Sequence, residues 1–192
     1  GSGRTLENLV DAIAAGRLDA RIVTVVSNRA GVRGLAIARR VGLAASVLPR
    51  GDQSLPAWSE TIFGACREHN ADLVVMAGFL QLVEIPADFA GRVINIHPAL
   101  LPAFGGKGFH GMHVHRAVLE RGCTISGCTV HLVDNEYDHG RILLQKAVPV
   151  LRDDTADSLA ARVFAAECAA LPEAIAVFGP RLVSSSLGKE AS

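Results

Sequence analysis

Neither sign of charge is in excess in this chain: nineteen lysines and arginines meet nineteen aspartates and glutamates, and neither runs in blocks. Proteins that bind nucleic acid or lie on membranes usually carry such an excess. Both readings are therefore set aside, leaving room only for a local phosphate pocket. No apolar run approaches the ~20 residues that span a bilayer, and the opening stretch Gly1 to Thr5 has none of the features of a signal peptide. The cysteines Cys66, Cys123, Cys128 and Cys168 form no C-x-x-C pair, which removes the common zinc and thiol-redox spacings. Buried, reduced thiols are the expectation, and with them a cytoplasmic protein. Internal repeats and linkers are absent as well.

What is present is a chain of 192 residues, 49% hydrophobic and 20% charged, enough for one domain with a sizeable core. Short β-branched runs alternate with helical spacings. Helices are predicted over residues 5–18, 34–41, 56–69, 112–121 and 155–178, the last bent near Pro172. Strands are predicted over 21–27, 45–48, 72–77, 93–96, 126–133 and 142–150, with the last two paired as a hairpin. The alternation indicates an α/β fold with an open, mostly parallel, doubly wound sheet of the Rossmann type. Residues 1–183 form one domain in this reading, and 184–192 a loose polar tail. A glycine turn such as Gly1-Ser2-Gly3 normally follows the first, central strand of a doubly wound sheet. Here nothing precedes it, so that first central strand is expected to be missing from the chain.

Two segments carry chemistry. In Asn95-Ile96-His97-Pro98-Ala99-Leu100-Leu101-Pro102 a strand ends with an amide and an imidazole at alternate positions, hence on one face. Proline then turns the chain out at the carboxyl end of the sheet, where open α/β sheets bind ligands. An amide donor beside an imidazole suits a carbonyl that becomes an oxyanion. In Thr129-Val130-His131-Leu132-Val133-Asp134-Asn135-Glu136-Tyr137-Asp138-His139-Gly140 a strand runs into an acidic turn. A carboxylate there is placed to hold an imidazolium and raise its pKa.

These two segments, with Ala77-Gly78-Phe79 and the stretch Ser126-Gly127-Cys128-Thr129-Val130-His131, resemble the folate-dependent formyltransferases. The likeness runs in order through nearly all of residues 1–183. The short glycine turn and the Gly106-Lys107-Gly108-Phe109-His110-Gly111 insertion resemble the branch of that family that formylates glycinamide ribonucleotide in purine synthesis. The resemblance implies 10-formyltetrahydrofolate as co-substrate, no metal, and a monomer or homodimer. It implies His97 as general acid and partner of the formyl oxygen, Asn95 as a second donor, and Asp138 as the carboxylate that favours protonated His97 and organises a proton-relaying water. It implies folate contacts from Phe79, Leu80, Gln81, Leu82, Val83, Asn95, Val133 and Asp134. Gly3, Arg4 and Thr5 would take the substrate phosphate on backbone amides at a helix N-terminus, and Glu167 would hold the nucleotide. Two positions depart from the family pattern: Leu55 and Gln81 stand where relatives carry arginine.

Other signals are weaker. The dinucleotide fingerprint is incomplete, since position 6 is Leu. His110, His113 and His115 lack an acid or cysteine at ligand spacing and are assigned to a mobile loop. Two further readings stay open: formylation of a different amine, such as a nucleotide sugar, or a non-catalytic folate- or nucleotide-binding remnant.

Overall fold

The structure, a computed structural model, describes residues 2–187. In chain order the elements are α1 (Arg4–Ala14), β1 (Thr24–Ser27), α2 (Arg33–Arg40), β2 (Ala44–Val47), α3 (Leu55–Glu68), β3 (Val74–Met76), a short 3-10 turn (Ala87–Phe89), β4 (Val93–His97), α4 (Met112–Glu120), β5 (Ile125–Leu132), β6 (Ile142–Pro149) and α5 (Ala156–Leu187). Each predicted helix and strand appears, with ends shifted by at most four residues apart from the end of α5. The 3-10 turn is an addition, too short to show a period.

The α/β class with an open sheet holds. Strand pairing divides evenly: β1–β2 and β3–β4 are parallel, while β4–β5 and β5–β6 are antiparallel. The β5–β6 pairing is the expected hairpin, whose connection is too short for a crossover. The strands form two groups, β1-β2 and β3-β4-β5-β6, with no hydrogen-bonded ladder joining β1 to β3. Among the described residues no strand precedes α1.

One core cluster lies between the sheet and helices α1, α4 and α5. Leu159, Val163, Ala170, Leu171 and Ala174 of α5 are all at most 1% exposed and form the helical stripe that faces β5 and β6. Burying a leucine such as Leu159 fully contributes about 1.5–3 kcal/mol. A second cluster gathers Trp58, Phe63 and Cys66 of α3 against Phe89 and Val93. There the Trp58 indole N–H donates to the Leu48 carbonyl at 3.0 Å.

α5 departs from expectation twice. It runs on past Phe178 and through Pro180 to Leu187, so residues 184–187 are helical rather than loose. Buried Ala174 and Leu182 beyond Pro172 keep the helix anchored to the core and offset the lost backbone bonds. Residues 188–192 of the expected tail lie outside the described residues. In addition, Ala156–Leu182 is long and apolar enough, by length and composition alone, to cross a membrane. The expectation that no apolar run approaches that length is corrected. A helix that packs one stripe on a sheet meets the same compositional test.

Candidate active site

The β4–β5 register sets Asn95 opposite His131 and His97 opposite Thr129. Directly opposed residues share a face, so one side of the sheet collects an amide, two imidazoles and a hydroxyl. Beside this pair the β5–β6 ladder shifts register: Val130 pairs with Leu144 and His131 with Ile142, leaving Leu143 extra. Such an irregularity re-aims a side chain near a site. The loop after β5 then returns Asp138 to the same place.

The backbone carbonyls place a proton on one nitrogen of each ring. His97 Nε2 lies 2.8 Å from the Phe104 carbonyl oxygen, which only accepts, so Nε2 carries a proton. The other nitrogen, Nδ1, faces Asp138 Oδ2 at 3.4 Å. His131 Nδ1 lies 2.8 Å from the Leu132 carbonyl and donates to it. Its Nε2 lies 3.1 Å from the Asn95 amide nitrogen. Asp138 also receives the Gly106 N–H at 3.0 Å and stands 3.6 Å from His131 Nε2.

The electrostatics correct one expectation. His97 is 4% exposed, and burial lowers its pKa below the ordinary histidine value. The Asp138 charge and the Phe104 carbonyl pull upward, but burial outweighs them. The expected direction of the Asp138 effect is present, yet the net shift is down. For Asp138 burial pushes the carboxyl up; the His131 hydrogen bond, the His97 charge and the Gly106 N–H together bring it below its ordinary value. The site is thus poised with an ionised carboxylate against an imidazole kept largely neutral near pH 7.

Asn95, His97 and Asp138 are brought together as expected. Phe79, Gln81, Leu82, Val83 and Val133 line a cleft that opens beside Asn95, His131 and Asp138. Leu80 is not in its wall and is 51% exposed. Asp134 is absent from it too, its carboxylate being engaged by the Glu136 N–H and by His139 Nδ1, at 2.9 and 2.8 Å. Gln81 accepts from Asn28 Nδ2 at 3.0 Å, and Leu55 packs into the second core cluster.

Gly3, Arg4 and Thr5 form the start of α1. Gly3 is the N-cap with φ +71° and no side chain to satisfy the free amides. A Cβ there would come within 2.8 Å of the Gly34 nitrogen and of Ile37. The turn therefore requires glycine both for its backbone angle and for its closeness to α2. Glu167 stands on the neighbouring stretch of α5, its pKa raised to about 7 by burial and pulled back by Arg4.

Several supporting groups escape sequence reasoning. Thr129 Oγ1 donates to the Ala99 carbonyl and accepts from the Leu101 N–H and Gln145 Nε2, at 2.6, 3.0 and 3.0 Å. Thr129 thereby pins the loop that follows His97. Phe104 and Gly106 act through backbone atoms, which residue types do not announce. His115 is buried beside His97, which contributes to its lowered pKa, and its Nδ1 has no partner. Its burial corrects the assignment of all three loop histidines to a mobile segment. Among the described residues no group of three or more His, Cys, Asp or Glu side chains is placed to hold a metal ion.

An open α/β sheet whose strand ends present an amide, an imidazole and a carboxylate around one cleft defines a group-transfer site. The formyl transferase family matches residues 1–175, and the chain belongs to that family. More particular likenesses follow. A chloroplastic phosphoribosylglycinamide formyltransferase of Vigna unguiculata is 41% identical over 166 residues, covering 85% of this chain and 53% of that protein. The crystal structure of glycinamide ribonucleotide transformylase 1 from Symbiobacterium toebii superposes with a TM-score of 0.85 at 40% identity, covering 93% of this chain and 83% of that one. That of phosphoribosylglycinamide formyltransferase from Brucella melitensis gives 0.81 at 41% identity, covering 93% and 91%. The chain spans about half the length of the plant relatives it matches.

Proposed function

We propose that this chain transfers the formyl group of 10-formyltetrahydrofolate to the amine of glycinamide ribonucleotide. The observation that carries the reading is the meeting of Asn95 and Asp138 at one apolar-walled cleft, with His97 Nδ1 3.4 Å from the Asp138 carboxylate. The relatives named above, identical at about two positions in five, support the choice of acceptor.

In this reading Phe79, Leu82, Val83 and Val133 supply flat apolar walls for the pterin, and Asn95 stands where the formyl group enters. Asn95 and His97 Nε2–H donate to the formyl oxygen as the substrate amine adds to the formyl carbon. His97 first gives up the Phe104 carbonyl, exchanging one acceptor for another. The new C–N bond forms, the bond from the formyl carbon to the folate nitrogen breaks, and the amine proton ends on that nitrogen. Asp138 directs the water that relays it. The amides of Gly3, Arg4 and Thr5 hold the phosphate, and Glu167 the ribose. The balanced charge gives no reason to expect nucleic acid as a partner, and the four free thiols suit a reducing compartment such as the cytoplasm.

The test is a panel of amine acceptors offered with 10-formyltetrahydrofolate. Glycinamide ribonucleotide should exceed nucleotide-sugar amines in kcat/KM by orders of magnitude. Preference for a nucleotide sugar would overturn the choice of acceptor. Folate binding with no transfer to any amine would favour the non-catalytic reading.

A further inference from the structure

Two opposite charges stand near one another at the start of α1 without pairing. The Arg4 guanidinium lies 4.0 Å from the centroid of the Phe164 ring. Phe164 is on α5, one turn before Glu167. The Glu167 carboxylate is held largely out of water, and Arg4 is the one charge that stabilises its ionised form. Yet among the described residues the side chains of Arg4 and Glu167 make no ion pair or hydrogen bond with each other or with any other group. An exposed arginine beside a desolvated carboxylate ordinarily closes on it, because pairing relieves the cost of burial. The aromatic face offers the guanidinium a competing attraction that leaves its N–H groups free.

We propose that Phe164 is a specificity-determining positioning residue: it holds Arg4 off Glu167, so that the cation stays free for the phosphate of a ribose 5-phosphate unit and the carboxylate for its hydroxyls. This rests on the acceptor reading above and deepens it. The α1 amides alone fix a phosphate without regard to what it is attached to. An arginine and a carboxylate kept apart by a ring on the same helix measure the distance from phosphate to ribose. The charged and titratable groups facing Glu167 are Arg4 from α1, Cys128 from β5 and Cys168 from α5 itself. Lys146 of β6 is taken by Glu173 at 2.7 Å.

The proposal predicts opposite displacements in two variants. Phe164→Leu keeps apolar bulk but loses the ring face, so Arg4 falls onto Glu167 and lowers its pKa. Arg4→Met removes the compensating charge and raises it. The Glu167 carboxyl carbon, assigned by Glu167→Gln, is followed by NMR across pH 5 to 9 in the full chain. Its midpoint should lie near 7 in the wild type, lower in F164L and higher in R4M. Both variants should raise KM for glycinamide ribonucleotide about three- to tenfold, with KM for the folate as the reference, and Phe164→Tyr should restore both readouts. A common midpoint in all three proteins, or KM for the ribonucleotide within twofold of wild type, overturns the proposal. Absence of formyl transfer by the wild type would overturn the acceptor reading instead, and the NMR midpoints would still decide the role of Phe164.

Discussion

Asp138 occupies a left-handed backbone conformation, φ +53°, that few non-glycine residues adopt. That placement lets one carboxylate face His97 and His131 while accepting the Gly106 N–H. It is also what softens the effect of burial on His97. Replacing Asp138 by Asn removes the charge but keeps the size, so the His97 pKa should fall further, readable by imidazole NMR. Turnover should drop at least ~10²-fold, the usual contribution of a positioned proton-transfer group. An unchanged His97 titration would mean that the carboxylate does not act on the imidazole. The sequence announced these groups through their spacing on β4 and in the acidic turn. It did not announce the sign of the His97 shift, because burial depends on the whole fold rather than on neighbours in the chain.

At the scale of elements, the carboxyl end of β4 works as a site because β5 holds it. Thr129 is 0% exposed and its hydroxyl joins Ala99, Leu101 and Gln145. Thr129→Val keeps the shape but strands these partners in a dry environment. Stability measured by urea denaturation should fall by about 1–3 kcal/mol. KM for the folate should rise as the 98–102 loop loosens. A loss below 0.5 kcal/mol would show that the loop is held by other contacts. The elements themselves were legible because their apolar periods are regular: β5, β6 and α4 begin and end within two residues of expectation. The length of α5 was not. Its expected end at Phe178 fell just before Gly179-Pro180, while buried Leu182 beyond them, which anchors the extension, is recognisable only once the core is assembled.

Across the whole molecule, buried titratable groups push stability in opposite directions with pH. His97 and His115 have pKa values lowered by burial, so the unfolded chain binds more protons than the folded one just below the ordinary histidine value. Their contribution is full above about pH 6.5 and is lost as pH falls through that window. Glu167 does the reverse. Its folded pKa of about 7 exceeds the unbound value of 4.5, so its contribution is present below 4.5 and lost as pH rises through 7. Glu167→Gln should therefore raise Tm at pH 8, with the advantage shrinking as pH falls toward 4.5, followed by thermal denaturation across that range. A constant difference at every pH would show that Glu167 does not titrate in this window. Such a half-buried acid, unpaired among the described residues, costs stability and is retained where a ligand needs it, consistent with a nucleotide site built at the meeting of α1 and α5.

The most direct test of the account is turnover of His97→Ala with glycinamide ribonucleotide and 10-formyltetrahydrofolate both saturating. Loss of one oxyanion donor predicts a fall in kcat of about 10²–10³-fold. Near wild-type turnover would contradict the assignment of formyl-oxygen stabilisation to the end of β4.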